Sequence, residues 1–193
     1  PKIDFEKVAE GIKNTTAKIR GVITSETRKA GVNIVTGSAK IEEGFVTVDG
    51  KDYPYDKLII ATGSRAFIPP LTGLEYAKTY KDILNYKDVP EKMIIVGSGT
   101  IATELASVFS LICAEVHILC RSTFLKKVEP DIRTYIREKL LKDVQIHENI
   151  PVTEVTPEGV LTKSRSFKGE VILAVGMNPN SELVRGIVEL GKR

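Results

Sequence analysis

Apolar residues first recur at helical spacing. Phe5, Val8, Ala9, Ile12, Ile19, Val22 and Ile23 follow Asp4, a suitable N-cap, and run toward Gly31, a suitable stop, so a long amphipathic helix is predicted. The period then changes: Val32 to Ile41, the alternating Phe45 to Val48, the turn pair Asp49-Gly50 and Tyr53 to Tyr55 predict a small antiparallel meander. Leu58-Ile59-Ile60-Ala61 is different in kind. Continuous apolar residues running into Gly63 suit a strand buried on both faces of a parallel sheet, whose neighbours must come later or lie outside the chain.

Residues 64–92 hold Pro69, Pro70, Gly73 and Pro90 among polar residues, which predicts a connector and a domain boundary near Val89. Beyond it the pattern turns regular. Strand Met93 to Val96, helix Thr100 to Ile112, strand Val116 to Cys120, helix Asp131 to Leu141 and strand Val144 to His147 predict a parallel α/β sheet. Between Ile150 and Glu170 short alternating pieces around Glu158-Gly159 predict a second meander where a crossover helix would ordinarily stand. Val171 to Gly176 then repeats the form of Leu58 to Gly63, so meander, apolar strand and glycine occur twice.

Composition changes this picture little. Of 193 residues 42% are hydrophobic, enough for one large or two small cores. Lys and Arg number 28 against 25 acids and are scattered, which gives no reason to expect nucleic acid. No apolar stretch approaches the roughly 20 residues of a membrane span, and no signal-peptide pattern opens the chain. Cys113 and Cys120 lie in apolar segments, as in a reducing compartment, so the expected location is the cytoplasm. The chain opens on Pro1 rather than methionine, as a fragment would.

The chemistry concentrates where the first regular strand enters its helix. In Val96-Gly97-Ser98-Gly99-Thr100-Ile101-Ala102-Thr103-Glu104, Gly97 permits a sharp turn, Gly99 lets a pyrophosphate approach the backbone, and Ala102 lets the helix pack close to the strand. Amides at the helix start, with its dipole, would face the anion. The acid that grips a ribose 2′-hydroxyl in NAD-binding domains should end the next strand. Cys120 stands there instead, followed by Arg121 and Ser122, with Lys126 and Lys127 just beyond. A 2′-phosphate suits these cations, although solvated surface charge explains them as well. The two cysteines read as structural thiols. Cys120 and His147 could converge at strand ends, but two ligands make no zinc site, and no metal is expected.

These residues, with Ile59-Ile60-Ala61-Thr62-Gly63-Ser64 before them and Ala174-Val175-Gly176-Met177-Asn178-Pro179-Asn180 after, resemble the class I flavin-dependent pyridine nucleotide-disulfide oxidoreductases, which include dihydrolipoamide dehydrogenase, glutathione reductase and mercuric reductase. Ala102 is similar to the glutathione reductase form, and Leu119-Cys120-Arg121-Ser122-Thr123 to the mercuric reductase form; both of those relatives use NADPH. The resemblance covers essentially the whole chain.

It implies an α/β fold: a Rossmann-like doubly wound parallel sheet with an antiparallel β-meander crossover, plus a partial second, FAD-type dinucleotide-binding domain. Residues 1–88 would belong to the FAD domain, 89–177 to the NAD(P) domain, and 178–193 would return toward the FAD domain. In the parent protein NADPH or NADH would give hydride to FAD, and the flavin would reduce a disulfide-type substrate; a transhydrogenase or NADH oxidase type of the same fold, or a stand-alone NAD(P)-binding module, are alternatives. The family's flavin fingerprint and redox cysteines precede this region, and its homodimerising C-terminal domain, with the catalytic histidine, follows. By position, Ala39 would lie against the flavin adenine, and Ala61, Thr62 and Gly63 near the flavin pyrophosphate. Glu104 would lie near the nicotinamide, without the lysine that relatives pair with it, and Gly176 would close over the dinucleotide. Gly97, Ser98, Gly99, Thr100 and Ile101 would hold its phosphates; Cys120, Arg121, Ser122 and Lys127 would meet its adenosine end. Thr100 stands where a tyrosine is frequent.

Overall fold

The computed structural model describes residues 3–113, 115–189 and 191. Among these, 3–11 with 66–177 form one compact unit and 12–65 with 178–191 a second. In chain order the elements are helix α1 (Phe5–Lys29), β1 (Ala39–Glu42), β2 (Phe45–Val48), β3 (Lys51–Pro54), β4 (Ser64–Ala66), β5 (Ala77–Lys78), β6 (Lys92–Val96), α2 (Thr100–Phe109), β7 (Glu115–Leu119), α3 (Pro130–Tyr135), β8 (Gln145–His147), β9 (Val152–Thr156), β10 (Gly159–Thr162), β11 (Ser166–Lys168), β12 (Glu170–Leu173) and β13 (Met177–Pro179).

The first unit is built on a five-stranded sheet in the order β5-β12-β6-β7-β8, with every neighbouring pair parallel. Its three central strands each open on a charged residue, Lys92, Glu115 and Glu170, and are otherwise apolar except for His117, because both faces are covered. Met93, Ile95, Val116, Ile118 and Ile172 pack beneath Ala102, Ala106 and Phe109 of α2 and beneath Phe124 and Leu141. Ile94, Val96, Leu119, Val171 and Leu173 face the other way, against Val155, Val160 and Phe167 of the meander β9-β10-β11. The strand period of two thus sorts one run of residues into two cores. Burying each such aliphatic chain stabilises the fold by about 1.5–3 kcal/mol.

α3 begins with Pro130 in its first turn and widens at its end into a π-helical turn, Ile136–Leu140, closed by Leu141 N donating to the Ile136 carbonyl at 2.9 Å. That spacing keeps Ile136 and Leu141 together on the core side. The expected connector also carries structure. β5 pairs with β12 and forms the sheet's edge, preceded by a 3-10 turn at Leu74–Tyr76. Gly73 opens that turn at φ 76°, where a Cβ would strike the Val155 carbonyl oxygen of β9. Gly73→Ala should therefore lose at least about 1–2 kcal/mol from the left-handed backbone alone, read as a fall in Tm without change in the far-UV circular dichroism spectrum.

In the second unit β1-β2-β3 form an antiparallel sheet whose second hairpin turns at Asp49 (φ 47°) and Gly50 (φ 85°), as the Asp-Gly pair requires. α1 is capped as expected, with Lys7 N donating to Asp4 Oδ1 at 3.2 Å, and stops before Gly31 at φ 81°. Its first residues, up to Gly11, belong to the first unit, where Phe5 is buried 6.2 Å from the Phe109 ring and 6.3 Å from Tyr86; among the described residues no later side chain of the helix is buried.

Two expectations are corrected. Residues 32–38 are exposed and form no strand, so the first meander starts at Ala39. Residues 58–61 also form no strand, and Ile59 is 91% exposed. Among the described residues their apolar run meets no parallel neighbour, and a strand without a ladder leaves its amides to water.

Candidate functional site

The site sits where the sheet's topology reverses: β6 leads through α2 to β7 on one side and is flanked by the late strand β12 on the other. Crevices at such points, outside the carboxyl ends of the strands, are where open α/β sheets bind ligands. Gly97 is stitched between both neighbours. Its amide donates to the Leu119 carbonyl at 3.0 Å, while Ala174 N donates to the Val96 carbonyl at 2.8 Å. With φ at 143°, a Cβ at Gly97 would run into the Ala174 carbonyl oxygen.

Gly99 caps α2 in extended conformation and offers no side chain to the first amides, while its carbonyl accepts from Thr103 N at 3.0 Å and Thr103 Oγ1 at 3.1 Å. A Cβ there would meet open space. Gly99 and Thr100 are exposed, Ser98 and Ile101 half-buried, and Ala102 fully buried against β6, so the start of α2 is open while its body packs tightly. Such an end has unpaired donors and a positive dipole, the elements of an anion site.

The segment after β7 folds back onto this turn. Leu125, at φ 47°, donates its amide to the Ser98 carbonyl at 2.9 Å. Phe124 N donates to Glu148 Oε1 at 2.7 Å, and Arg137 bridges Glu148 Oε2 at 2.9 Å. The Phe124 amide, then the Arg137 guanidinium, hold the Glu148 carboxyl below its usual range. The tie is therefore present above the ordinary glutamate pKa and is lost as pH falls through the lowered value. Glu148→Ala should destabilise the unit by about 1–2 kcal/mol and raise hydrogen exchange at Phe124 and Leu125, whereas substitution of the exposed Glu138 should do neither.

Arg121, Ser122, Lys126 and Lys127 are exposed around this segment. Cys120 is not: it is fully buried, its Sγ donates to the Gly97 carbonyl at 3.8 Å, and burial pushes the thiol up to about 12. Its side chain is core, and only its position in the strand brings it to the site. Cys113, partly buried, is raised to about 11 for the same reason. Cys120 and His147 do converge, but through backbone, with Cys120 N donating to the His147 carbonyl at 2.8 Å.

Gly176 is exposed at φ 125°, and its carbonyl accepts from Phe67 N at 2.9 Å; Glu104 is exposed on α2. In the second unit Ala39, Ala61, Thr62 and Gly63 are all exposed. Thr62 Oγ1 donates to the Asn180 carbonyl at 2.7 Å, Asn180 Nδ2 returns a bond to the Thr62 carbonyl at 2.9 Å, and Arg65 joins Asn180 Oδ1 to Glu182. The sequence reading placed Leu125 and Glu148 in no role. Leu125's positive φ leaves no trace in residue type, and Glu148 is one carboxylate among many.

The backbone superposes on LpdA from Mycobacterium tuberculosis with a TM-score of 0.85 over 100% of this chain and 47% of that one, at 22% identity. The HOCl-induced flavoprotein disulfide reductase RclA from Escherichia coli gives 0.82 at 23% identity, over 94% of this chain and 45% of that one. The family model of the pyridine nucleotide-disulphide oxidoreductases matches residues 3–193, and the chain belongs to that family. Among curated relatives, the glutathione reductase of a Nostoc species is 30% identical over 90% of this chain and 39% of its own length, and the dihydrolipoyl dehydrogenase of Acholeplasma laidlawii 29% identical over 97% and 59%. The chain thus spans about two fifths to three fifths of these relatives. The family depends on FAD and on NAD or NADP. Among the described residues no helix is long and apolar enough to cross a membrane.

Proposed function

We propose that the unit of residues 66–177 binds a nicotinamide dinucleotide, with the pyrophosphate on the amides from Gly97 to Ile101. The observation that carries this reading is the glycine turn: at Gly97 the backbone has no room for a side chain, while beside it Gly99 and Thr100 leave the start of α2 open. The donor set fits a pyrophosphate, with amides for its oxygens and no carboxylate in the turn to repel it. Arg121 and Lys127 would take a 2′-phosphate, favouring NADPH, with Ser122 as a neutral donor; Gly176 would border the nicotinamide end.

When bound, the nicotinamide would supply a hydride, and this chain's residues would hold and orient the dinucleotide. In the whole protein the hydride would pass to FAD and on to a disulfide-type substrate, as the names of its relatives suggest. Ala39, Ala61, Thr62 and Gly63 would then belong to the flavin side. Exposed apolar residues, among them Ile19, Val22 and Ile23 of α1 and Ile59, support the reading that further chain covers this surface in a longer protein. Neither cysteine offers a thiolate, since burial raises both, so the redox thiols would come from elsewhere.

Calorimetric titration tests the reading. One NADPH should bind per chain, with FAD binding far weaker. No disulfide reductase turnover should appear when NADPH and FAD are both supplied. Tight, stoichiometric FAD binding, or none of NADPH, would overturn it.

A further inference from the structure

The chain's two histidines, His117 and His147, meet on the meander side of the parallel sheet. β7 and β8 pair with His117 opposite Gln145 and Leu119 opposite His147, so the period of two sets both imidazoles on the face that carries Leu119. The rings stack with centroids 5.2 Å apart and planes at 20°. Phe167 of β11 closes over both, at 5.5 Å and 4.9 Å.

Their hydrogen bonds run in one direction. Arg165, in the turn between β10 and β11, can only donate, and its Nη2 lies 2.9 Å from His147 Nδ1, which must therefore accept. A neutral His147 then carries its proton on Nε2 and donates it to His117 Nδ1 at 3.0 Å. His117 in turn donates from Nε2 to Glu115 Oε1 at 2.9 Å. Lys92 of β6, 2.7 Å from Glu115 Oε2, and Gln145 of β8, 3.1 Å from Oε1, fix the acceptor end. Among the described residues the charged groups bonded into this chain are Lys92, Glu115 and Arg165.

We propose that this relay is a proton-sensitive latch, closed while both rings are neutral, which ties the β10–β11 turn to the parallel sheet and opens when His147 gains a proton. That proton must enter at Nδ1, where it faces an Arg165 N–H. Donor then meets donor and cation meets cation, so the guanidinium must leave and the turn loses its hold. Burial, then His117 and Arg165, hold His147 below the ordinary imidazole range. The unfolded chain therefore takes up this proton first, and the latch's contribution to stability is full above the ordinary value of about 6.5 and declines as pH falls below it. None of this depends on nucleotide binding.

With only two histidines, an NMR titration of the chain reads each ring. At pH near 7.5 both should be Nε2–H tautomers, His147 should titrate below about 6.5, and the backbone amides of Arg165, Ser166 and Phe167 should move with its midpoint. Arg165→Met removes an exposed donor and spares the core. In that variant the His147 midpoint should rise toward the ordinary value, and the three amides should no longer follow it. An Nδ1–H tautomer at His147, amides indifferent to its titration, or one midpoint shared by parent and variant would each overturn the latch.

Discussion

Gly97→Ala should abolish NADPH binding and lower the melting temperature of the chain by the largest margin of any single methyl addition in the glycine turn. At φ 143° an L side chain is strained by about 1–3 kcal/mol before any contact is counted. The contact is worse. The new methyl would meet the Ala174 carbonyl, which is backbone and has no rotamer to give way, and Val175 N at 3.3 Å. Relief requires β6 and β12 to part, yet Ala174 N bonds to the Val96 carbonyl at 2.8 Å and Gly97 N to the Leu119 carbonyl at 3.0 Å. The turn that aims the amides of α2 is thereby displaced. Gly99→Ala separates the two effects, because a Cβ there touches nothing in the protein and its φ of −98° suits any residue. That variant should melt with the parent and still bind NADPH at least tenfold more weakly, the methyl standing where a pyrophosphate must approach. Thermal melts beside calorimetric titrations of the two variants decide the point. A Gly97→Ala chain that melts and binds like the parent is incompatible with this geometry.

Arg121→Glu should move nucleotide preference from NADPH toward NADH. The substitution removes a charge-assisted bond to the 2′-phosphate, adds repulsion, and offers an acceptor to a ribose hydroxyl. Loss of the bond alone corresponds to roughly tenfold weaker NADPH binding or more, with NADH much less affected. Both dissociation constants must be taken at one salt concentration, since ions screen an exposed phosphate contact. If Arg121 is only solvated surface charge, the NADPH-to-NADH ratio stays within about threefold of the parent value, less than half a decade of affinity.

The parallel sheet was legible because burial on two faces leaves a largely apolar run: Met93 to Val96, Val116 to Cys120 and the run from Val171 to Gly176 read as strands, and the strands formed are Lys92–Val96, Glu115–Leu119 and Glu170–Leu173. The same rule misled at Leu58 to Ala61, where the apolar run is present but the ladder is not. An apolar run says that a segment wants neighbours, and it cannot say that this chain provides them. β5 was illegible for the opposite reason, since two residues at an edge need only backbone bonds to β12 and Ala77-Lys78 has no pattern of its own. At the site, the glycine turn was readable from residue type and Cys120 as a structural thiol, but not the direction in which that thiol points. A buried strand end and an exposed one differ by a rotation of the last residue, and only the fold shows that this thiol points at the Gly97 carbonyl. The histidine relay was beyond sequence reading because His117 and His147 meet only through the register of β7 on β8 and through an arginine from a distant turn.

The central claim is that the turn from β6 into α2 is where a nicotinamide dinucleotide's phosphates rest. A map of backbone amide shifts, recorded as NADPH is titrated into the chain, tests it residue by residue. The largest changes should fall on Gly97, Ser98, Gly99, Thr100 and Ile101, with a second group at Arg121, Ser122 and Gly176, while Ala39 and Ala61 to Gly63 stay still. Shifts confined to residues 39–63, or spread evenly with none at the glycine turn, would contradict the assignment.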